Sequence, residues 1–530
     1  MAAFIILSLF FVSSNSLMYD LIVPVATPPA VCSLGCAPWH DVSSAFNTAN
    51  QSYINALWFN SSVLAVAGTA CAMPANFQGQ PEAHVGTELS LSFDFSFGPQ
   101  CYCAGSASAP VSGFGYCGDP AVPTPQQVNL MFGKDETELS VSFVTVDNGR
   151  AIISAPIVEL CKGAGHCHNA SGTSVHASTP QLPARIVTYH VVVLPLITPG
   201  VNGYTYRVHP GIFEGVWSRI FTLRARPMSD EPTTIGIAGD LGIYSYNCFT
   251  NLLADKTLTS FVHAGDHSYN FAMGGGARGD GYMIGFEPIL SNIPWIPVFG
   301  NHELEGSPFG AYCPPEEFCQ GRYLNQTRAL ARLGAASGSN STLYFSIDIG
   351  LAHVVVLDYM EYIGLDHEAA AQLQWLAIDL EAAAAPAQRA RVPWIIVTGH
   401  VPMYSSGSGD SSGLIKDIEP LLFKYAVDLH VVGHDHFYES NWPTGPNGKV
   451  GQKNFIKPKA PVHVITGAGG APAFSGEREF PTEKALPDYV RTLIHRWSWS
   501  KAIAYNQSVL RWQQIDNING TILDEWVIVK

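Results

Sequence analysis

The chain has 530 residues, 47% hydrophobic and 13% charged, and its 43 acidic against 28 basic residues give a net charge of −15. That length exceeds what one core usually organises, so two or three domains are expected. The charge argues against non-specific binding to nucleic acid or to an anionic membrane, and a protein this acidic that handled phosphate esters would need a locally positive site, which metal ions can create.

Ala2 to Val12 form an apolar run followed by the small residues Ser13, Ser14 and Ser16. This reads as a cleaved signal peptide over 1–16; the run is shorter than the ~20 residues a helix needs to span a bilayer, and no later stretch reads as a membrane span. Seven Asn-x-Ser/Thr acceptors, at Asn50, Asn60, Asn169, Asn325, Asn340, Asn506 and Asn519, accompany it. Together they predict a secreted glycoprotein, or one delivered to a vacuole or lysosome. Eleven cysteines fit an oxidising compartment. Six lie between Cys32 and Cys117, and the short loops Cys161 to Cys167 and Cys313 to Cys319 could each close on themselves. Cys101 and Cys103 are spaced wrongly for a zinc knuckle, so disulfides are the preferred reading.

Residues 17–121 are rich in Ser, Ala, Gly, Pro and Cys, which predicts a loop-rich, disulfide-stapled segment leading into the stiff run Pro120 to Pro125. Alternating strands follow over 122–228, at Leu139 to Thr145, Tyr189 to Leu194 and Tyr204 to Val208, a spacing that predicts a β-sandwich packed against what comes next. From 229 to 530 the pattern becomes α/β. Thr234 to Ala238, Val298-Phe299, His353 to Leu357, Trp394 to Val397, Val427 to Val432 and Val462 to Ile465 are the apolar runs of buried strands, and His367 to Leu380 carries a helical stripe of Leu373, Leu376 and Leu380.

Five of these apolar runs end in glycine followed by a potential metal ligand: Gly239-Asp240, Gly265-Asp266, Gly300-Asn301, Gly399-His400 and Gly433-His434. Strand ends of an open α/β sheet face a common crevice, so separate strands can deliver ligands to one place. Adding Tyr269 and His436 gives the set Asp240, Asp266, Tyr269, Asn301, His400, His434 and His436, all oxygen or nitrogen donors suited to hard and first-row ions. Seven donors are too many for one ion, whereas two ions sharing Asp266 can use them and clamp a phosphate. Singly, each Gly-Asp or Gly-Asn is an ordinary turn, and histidines such as His263 and His353 read as satisfied core residues. The run Ser405 to Gly409 lacks a nucleophile-elbow context and reads as a flexible loop near the mouth.

The blocks Gly239-Asp240-Leu241-Gly242, Gly265-Asp266-His267-Ser268-Tyr269, Gly300-Asn301-His302-Glu303, Val397-Thr398-Gly399-His400 and Gly433-His434-Asp435-His436 resemble those of the purple acid phosphatases in identity, order and spacing. The resemblance covers about residues 122–530. It implies a multidomain chain, a fibronectin-like β-sandwich followed by an α/β metallophosphoesterase domain of two mixed sheets flanked by helices, with the Cys-rich N-terminal segment outside the match. It also implies an Fe(III) held by Asp240, Asp266, Tyr269 and His436 and a divalent iron, zinc or manganese held by Asp266, Asn301, His400 and His434. Phosphate monoesters would be hydrolysed at acidic pH with a metal-bound hydroxide as nucleophile. Related esterases place a histidine where this chain has Gly242, and a phenol appears instead at Tyr269.

The family's substrate-binding histidines are missing, since Gly409 and Asp410 stand at those positions, and Ser440 replaces the arginine expected after Glu439. His302 is then the expected general acid, with Asn301, His302 and Asp410 as substrate contacts. The alternatives are a phosphodiesterase or nucleotide pyrophosphatase, or a surface-binding protein with a silent phosphatase domain. The expected partner is a small phosphate ester, with no nucleic acid and no membrane span.

Overall fold

The chain is seen in a computed structural model that describes residues 125–530 apart from 147–154, 164–165, 179–185, 212–216, 243–250, 253, 270, 272–276, 305–318, 364–368, 410 and 472–485. Before 125 it describes only short stretches of strand backbone, including a sheet of Leu7–Val12, Ser16–Leu21, Gln80–Val85 and Leu89–Phe93. Of the expected signal peptide and the early cysteines it thus describes only backbone, at Leu7–Val12, Ser16 and Cys101, and Cys313 and Asp410 lie outside the described residues.

Alternating sequence builds the first two sheets. β1 (Gln126–Phe132), β2 (Leu139–Val146), β3 (Ile157–Lys162), β4 (Cys167–Ser171), β5 (Thr173–Ser178), β6 (Ile186–Leu194), β7 (Tyr204–His209) and β8 (Phe221–Leu223) form two four-stranded antiparallel sheets. Their orders are β5-β6-β2-β1 and β4-β3-β7-β8. Cys161 and Cys167 sit opposite each other on β3 and β4 and form the expected disulfide. In β2 the alternation Leu139, Val141, Phe143 is buried, yet Ser140 and Ser142 between them are buried too. Both faces of this central strand are covered, and alternation reports only the face that is apolar. The sheets dock on the following residues through β1, where Gln127 Nε2 donates to Asp280 Oδ1 (2.9 Å) and the Val128 amide to Glu287 Oε2 (3.1 Å), and through β7, where Tyr206 donates to the Ser291 carbonyl (2.7 Å).

The remainder is α/β. Strands β9 (Thr233–Ala238) and β10 (Ser260–His263), helix α1 (Ala277–Leu290), β11 (Trp295–Pro297) and helix α2 (Cys319–Thr327) come first. Next are β12 (Phe345–Ile349), β13 (Ala352–Val356), helix α3 (Ala369–Ala384), β14 (Trp394–Thr398) and β15 (Leu429–Val432). Last are β16 (Tyr438–Asn441), β17 (Val462–Thr466), β18 (Val490–Ile494), β19 (Ser498–Ala504), β20 (Val509–Asp516) and β21 (Ile522–Val529). One mixed sheet runs β11-β10-β9-β19-β20-β21 and the other β12-β13-β14-β15-β17-β16-β18. Every residue of β9, β13, β14, β15 and β17 is buried, which is why these strands read as unbroken apolar runs. The run Val298-Phe299 lies just past its strand: pairing ends at Pro297, and the Val298 amide makes one last bond to the His263 carbonyl (2.9 Å) before the Gly300 turn. Its apolarity marked the core, not the ladder. Leu376 and Leu380 on α3 are fully buried. Among the described residues no helix is long and apolar enough to cross a membrane.

His353 is a satisfied core residue, whereas His263 is buried with a partner for Nδ1 and none for Nε2 among the described residues. The Tyr282 hydroxyl lies 2.5 Å from His263 Nδ1, while His353 Nδ1 and Nε2 lie 2.7 Å from Asp348 Oδ1 and 3.0 Å from Asp379 Oδ2. Burial works against charging His353, but the bonds to Asp348 and Asp379 prevail and push its pKa up to about 9. A histidine whose pKa is raised on folding stabilises fully below its unfolded value and loses that contribution as pH climbs through the folded one. From an unfolded value of about 6.5, the shift is worth roughly 3 kcal/mol. Stability should therefore fall between pH 6.5 and 9, and His353→Gln should flatten that limb in a series of urea titrations across pH.

Candidate metal centre

Both mixed sheets turn the carboxyl ends of their parallel strands toward one crevice. Asp240 follows β9, Asp266 and Tyr269 follow β10, Asn301 follows β11, His400 follows β14, and His434 and His436 lie between β15 and β16. Among the described residues ten non-glycine residues have positive φ, and four of them belong to this set: Asp240 (55°), Asp266 (51°), Tyr269 (57°) and His434 (72°). Left-handed backbone of this kind is strained and concentrates at functional sites. The preceding glycines permit close approach: a β-carbon on Gly265 would lie 2.3 Å from His400 Nδ1, and one on Gly300 2.3 Å from Asp266 Oδ1.

All seven residues come together in two adjoining groups. In one, His400 Nε2 lies 3.2 Å from Asp266 Oδ2 and 3.0 Å from Asn301 Oδ1, which is itself 3.0 Å from His434 Nδ1. In the other, the Tyr269 hydroxyl lies 2.7 Å from His436 Nε2 and 3.1 Å from Asp240 Oδ1. Asp240 links the two, because its Oδ2 accepts the His434 amide (2.7 Å). Asp240, Asp266, Tyr269, Asn301 and His400 are buried, whereas His434 and His436 are partly exposed. The open side of the crevice is therefore at the last two histidines.

The donor chemistry fits cations. His400 Nδ1 lies 2.8 Å from the Ala264 carbonyl oxygen, which places a proton on Nδ1 and leaves the lone pair of a neutral ring at Nε2, facing Asn301 Oδ1 and Asp266 Oδ2. Three such acceptors converging in a buried space repel one another unless a positive charge sits among them, and without a metal ion that charge is a second proton on His400. Burial opposes charging His400, but the Asp266 and Asp240 carboxylates outweigh it and push its pKa up to about 10. Burial also opposes ionisation of Asp266, yet His400 and His302 hold that carboxyl below its usual range. The His434 pKa is lowered, first by burial and then by His400. Burial, Asp240 and Asp266 drive the Tyr269 phenol well above its ordinary value, so a phenolate here calls for a strongly charged neighbour.

His302 lies beside this set. Its amide donates to Asp266 Oδ1 (2.9 Å), its Nε2 lies 3.7 Å from Asp266 Oδ2, and its ring packs 4.3 Å from that of Tyr269. Glu303, in the same block but given no role in the sequence reading, is fully buried and accepts the amides of Asp266 (2.9 Å), His267 (2.9 Å) and Gly300 (3.1 Å). One carboxylate thus locks the turns that carry Asp266 and Asn301. An acidic residue within a ligand block, in a position that does not ligate, was the available signal. The serine run is not a loose loop. Ser405, Ser406 and Ser408 are fastened by the carboxylates of Asp435 and Glu439, and burial raises Glu439 to about 7 against the opposing bonds from Ser406.

Comparison with known proteins agrees with this geometry. The family described as calcineurin-like phosphoesterase matches residues 233–438, and that described as iron/zinc purple acid phosphatase-like protein C matches 460–525. The chain is 28% identical to acid phosphatase type 7 of Homo sapiens over 440 residues, covering 78% of this chain and 93% of that protein. It is 30% identical to purple acid phosphatase 18 of Arabidopsis thaliana over 356 residues, covering 65% of this chain and 71% of that protein. In fold it is similar to a purple acid phosphatase from yellow lupin (Lupinus luteus) seeds, with a TM-score of 0.63 and 22% identity over 77% of this chain and 74% of that one. Two mixed sheets converging on a buried O/N donor set, together with these relatives, place the chain in the purple acid phosphatase family of metallophosphoesterases.

Proposed function

We propose that this protein hydrolyses phosphate monoesters in acid, with Asp240, Asp266, Tyr269 and His436 holding Fe(III) and Asp266, Asn301, His400 and His434 holding a divalent iron, zinc or manganese. Tyr269 carries the reading, with its hydroxyl 2.7 Å from His436 Nε2 and 3.1 Å from Asp240 Oδ1; a phenol among these donors suits a hard trivalent ion. When bound, such a pair supplies positive charge for the phosphate and lowers the pKa of water.

The chain's own residues do the rest. Asn301 presents its carboxamide oxygen to both imidazoles of its group, and Glu303 holds the turns beneath. His302 is braced by Tyr269 and Asp266; from there it delivers a proton to the departing alkoxide or phenoxide. Asn301 and His302 also contact the phosphate, with Asp410 as a further contact. In the same reading, residues 122–228 form a fibronectin-like domain against a catalytic domain at 229–530, the segment 17–121 precedes them, and a signal over 1–16 directs export. Phosphodiester hydrolysis is the rival reading, which a comparison of monoester with diester substrates decides.

The test is colour. Phenolate donation into Fe(III) gives a visible charge-transfer band, so iron-loaded protein should be purple or pink, and Tyr269→Phe should be colourless with iron still bound. An active, iron-loaded wild type without the band would sink the assignment.

A further inference from the structure

The donor set divides by sheet and by donor atom. Asp240, Asp266, Tyr269 and Asn301 follow β9, β10 and β11 of the first mixed sheet and offer oxygen, whereas His400, His434 and His436 follow β14 and β15 of the second and offer nitrogen. Each proposed ion is therefore held across the line where the sheets meet. The Tyr269 hydroxyl lies 2.7 Å from His436 Nε2, and Asn301 Oδ1 lies 3.0 Å from His400 Nε2. What fixes the gap between the sheets fixes the reach from oxygen to nitrogen.

A glycine-rich segment that carries no ligand runs along that line. Beyond Thr466, where β17 of the second sheet ends, the chain reads Gly467-Ala468-Gly469-Gly470-Ala471 and is buried throughout. Its bonds go to the first sheet. At the end of β9 the Gly239 amide donates to the Thr466 carbonyl (2.9 Å), the Gly469 amide to the Gly239 carbonyl (3.1 Å) and the Ala471 amide to the Asp240 carbonyl (2.7 Å). With its own amide given to the Gly265 carbonyl (3.1 Å), Asp240 is held at φ 55° by bonds on both sides. From β19 the Ser498 amide donates to the Ala468 carbonyl (2.8 Å), and Ser500 Oγ lies 2.7 Å from Thr466 Oγ1. From the turn after β20, the buried Asn517 donates through Nδ2 to the Gly469 carbonyl (2.7 Å). Contact demands glycine here. A β-carbon on Gly467 would stand 2.2 Å from the Asp435 carbonyl oxygen and 2.8 Å from Asp240 Oδ2, and one on Gly469 2.3 Å from the Gly239 carbonyl oxygen.

We propose that Asn517 and residues 466–471 form a strap that positions the metal centre: it sets the gap between the two sheets, so that first-sheet oxygens and second-sheet imidazoles meet each ion together. Bonds from zinc to oxygen and nitrogen, at about 2.0–2.2 Å, leave little slack, and donors prearranged at the right spacing bind without an ordering cost. Because the strap serves both halves of the set, loosening it acts on both ions, unlike the loss of any one histidine. That the ions serve phosphate hydrolysis rests on the phosphatase reading; the strap itself rests on the bonds that tie it to the first sheet.

The experiment measures Fe(III) and Zn(II) affinity by chelator competition, and the position of the visible band of the iron-loaded protein, in wild type, Asn517→Ala, Asn517→Asp and Thr466→Val. Asn517→Ala should weaken both ions about tenfold, the scale of losing an outer hydrogen-bond partner, and should move the band. Asn517→Asp keeps the shape but turns an acceptor toward the Gly469 carbonyl, so at neutral pH it should weaken both ions at least as much. Thr466→Val removes only the contact with Ser500 and should give a smaller loss of the same kind; it carries the test if the Asn517 variants do not fold, which their melting curves report. Gly445→Ala is the control, because a β-carbon there meets nothing closer than 3.5 Å, and it should bind both ions as wild type does. Unchanged affinities in the folded variants, loss confined to one ion, or rescue by Asn517→Asp would overturn the positioning role. A wild type that binds both ions without hydrolysing phenyl phosphate, with both weakened in the variants, would keep the strap and refute the phosphatase reading. An active wild type with unweakened variants would do the reverse.

Discussion

Asp266→Asn is expected to strip both metals from the protein and abolish phosphatase activity, measured by elemental analysis alongside turnover. Asp266 Oδ2 faces His400 and His302, its Oδ1 takes the His302 amide, and its own amide is held by Glu303. An amide in its place loses the negative charge that both proposed sites share, and half its terminal atoms become donors directed at acceptors. The loss should exceed the roughly 10–100-fold in metal affinity that follows removal of an outer hydrogen-bond partner. Asn301→Ala and His400→Ala provide the contrast, since each should empty mainly the divalent site and leave the coloured iron in place. Equal depletion of both metals in all three variants would refute the assignment of separate ligands.

His302→Ala is expected to lower kcat/KM about 10²-fold on an alkyl phosphate and far less on an aryl phosphate with an acidic phenol. A poor leaving group needs a proton in the transition state and a good one does not, so the split between substrates identifies proton delivery and a general weakening does not produce it. The geometry makes the control essential. His302 Nε2 is 3.7 Å from Asp266 Oδ2 and its ring lies against Tyr269, so truncation can also disturb the ligands, and the two enzymes must be compared at matched metal content. Equal losses on both esters would leave His302 a structural brace of Asp266 and Tyr269.

Much of the site was legible because each ligand block is a local event. A buried strand writes an unbroken apolar run, the turn at its end needs glycine where backbone and ligand approach closely, as at Gly265 and Gly300, and the ligand follows at once. Repeated five times, that grammar marked Asp240, Asp266, Asn301, His400 and His434 without any knowledge of which strands are neighbours, and Tyr269 and His436 lie two or three residues further on in the same blocks. Cys161 and Cys167 were readable for the same reason, being close in sequence and opposite in one hairpin.

What the sequence by itself marked out is therefore the seven oxygen and nitrogen side chains that meet in the crevice, the order of β-rich and α/β parts, and a helical stretch over His367 to Leu380, which the structure forms over Ala369–Ala384. Tertiary structure alone decided which atoms meet. Tyr269 and His436 are 167 positions apart, and Asn301 and His400 are 99 apart. Nothing near Thr233 announces that β9 pairs antiparallel with Ser498–Ala504, which makes the first sheet mixed. Glu303 and Asp435 look like ordinary surface acids until folding buries them and hands them amides and hydroxyls from other segments. The physical reason is that periodicity and turn chemistry act over a few residues, whereas hydrogen-bond satisfaction in a buried crevice is a property of several strand ends at once.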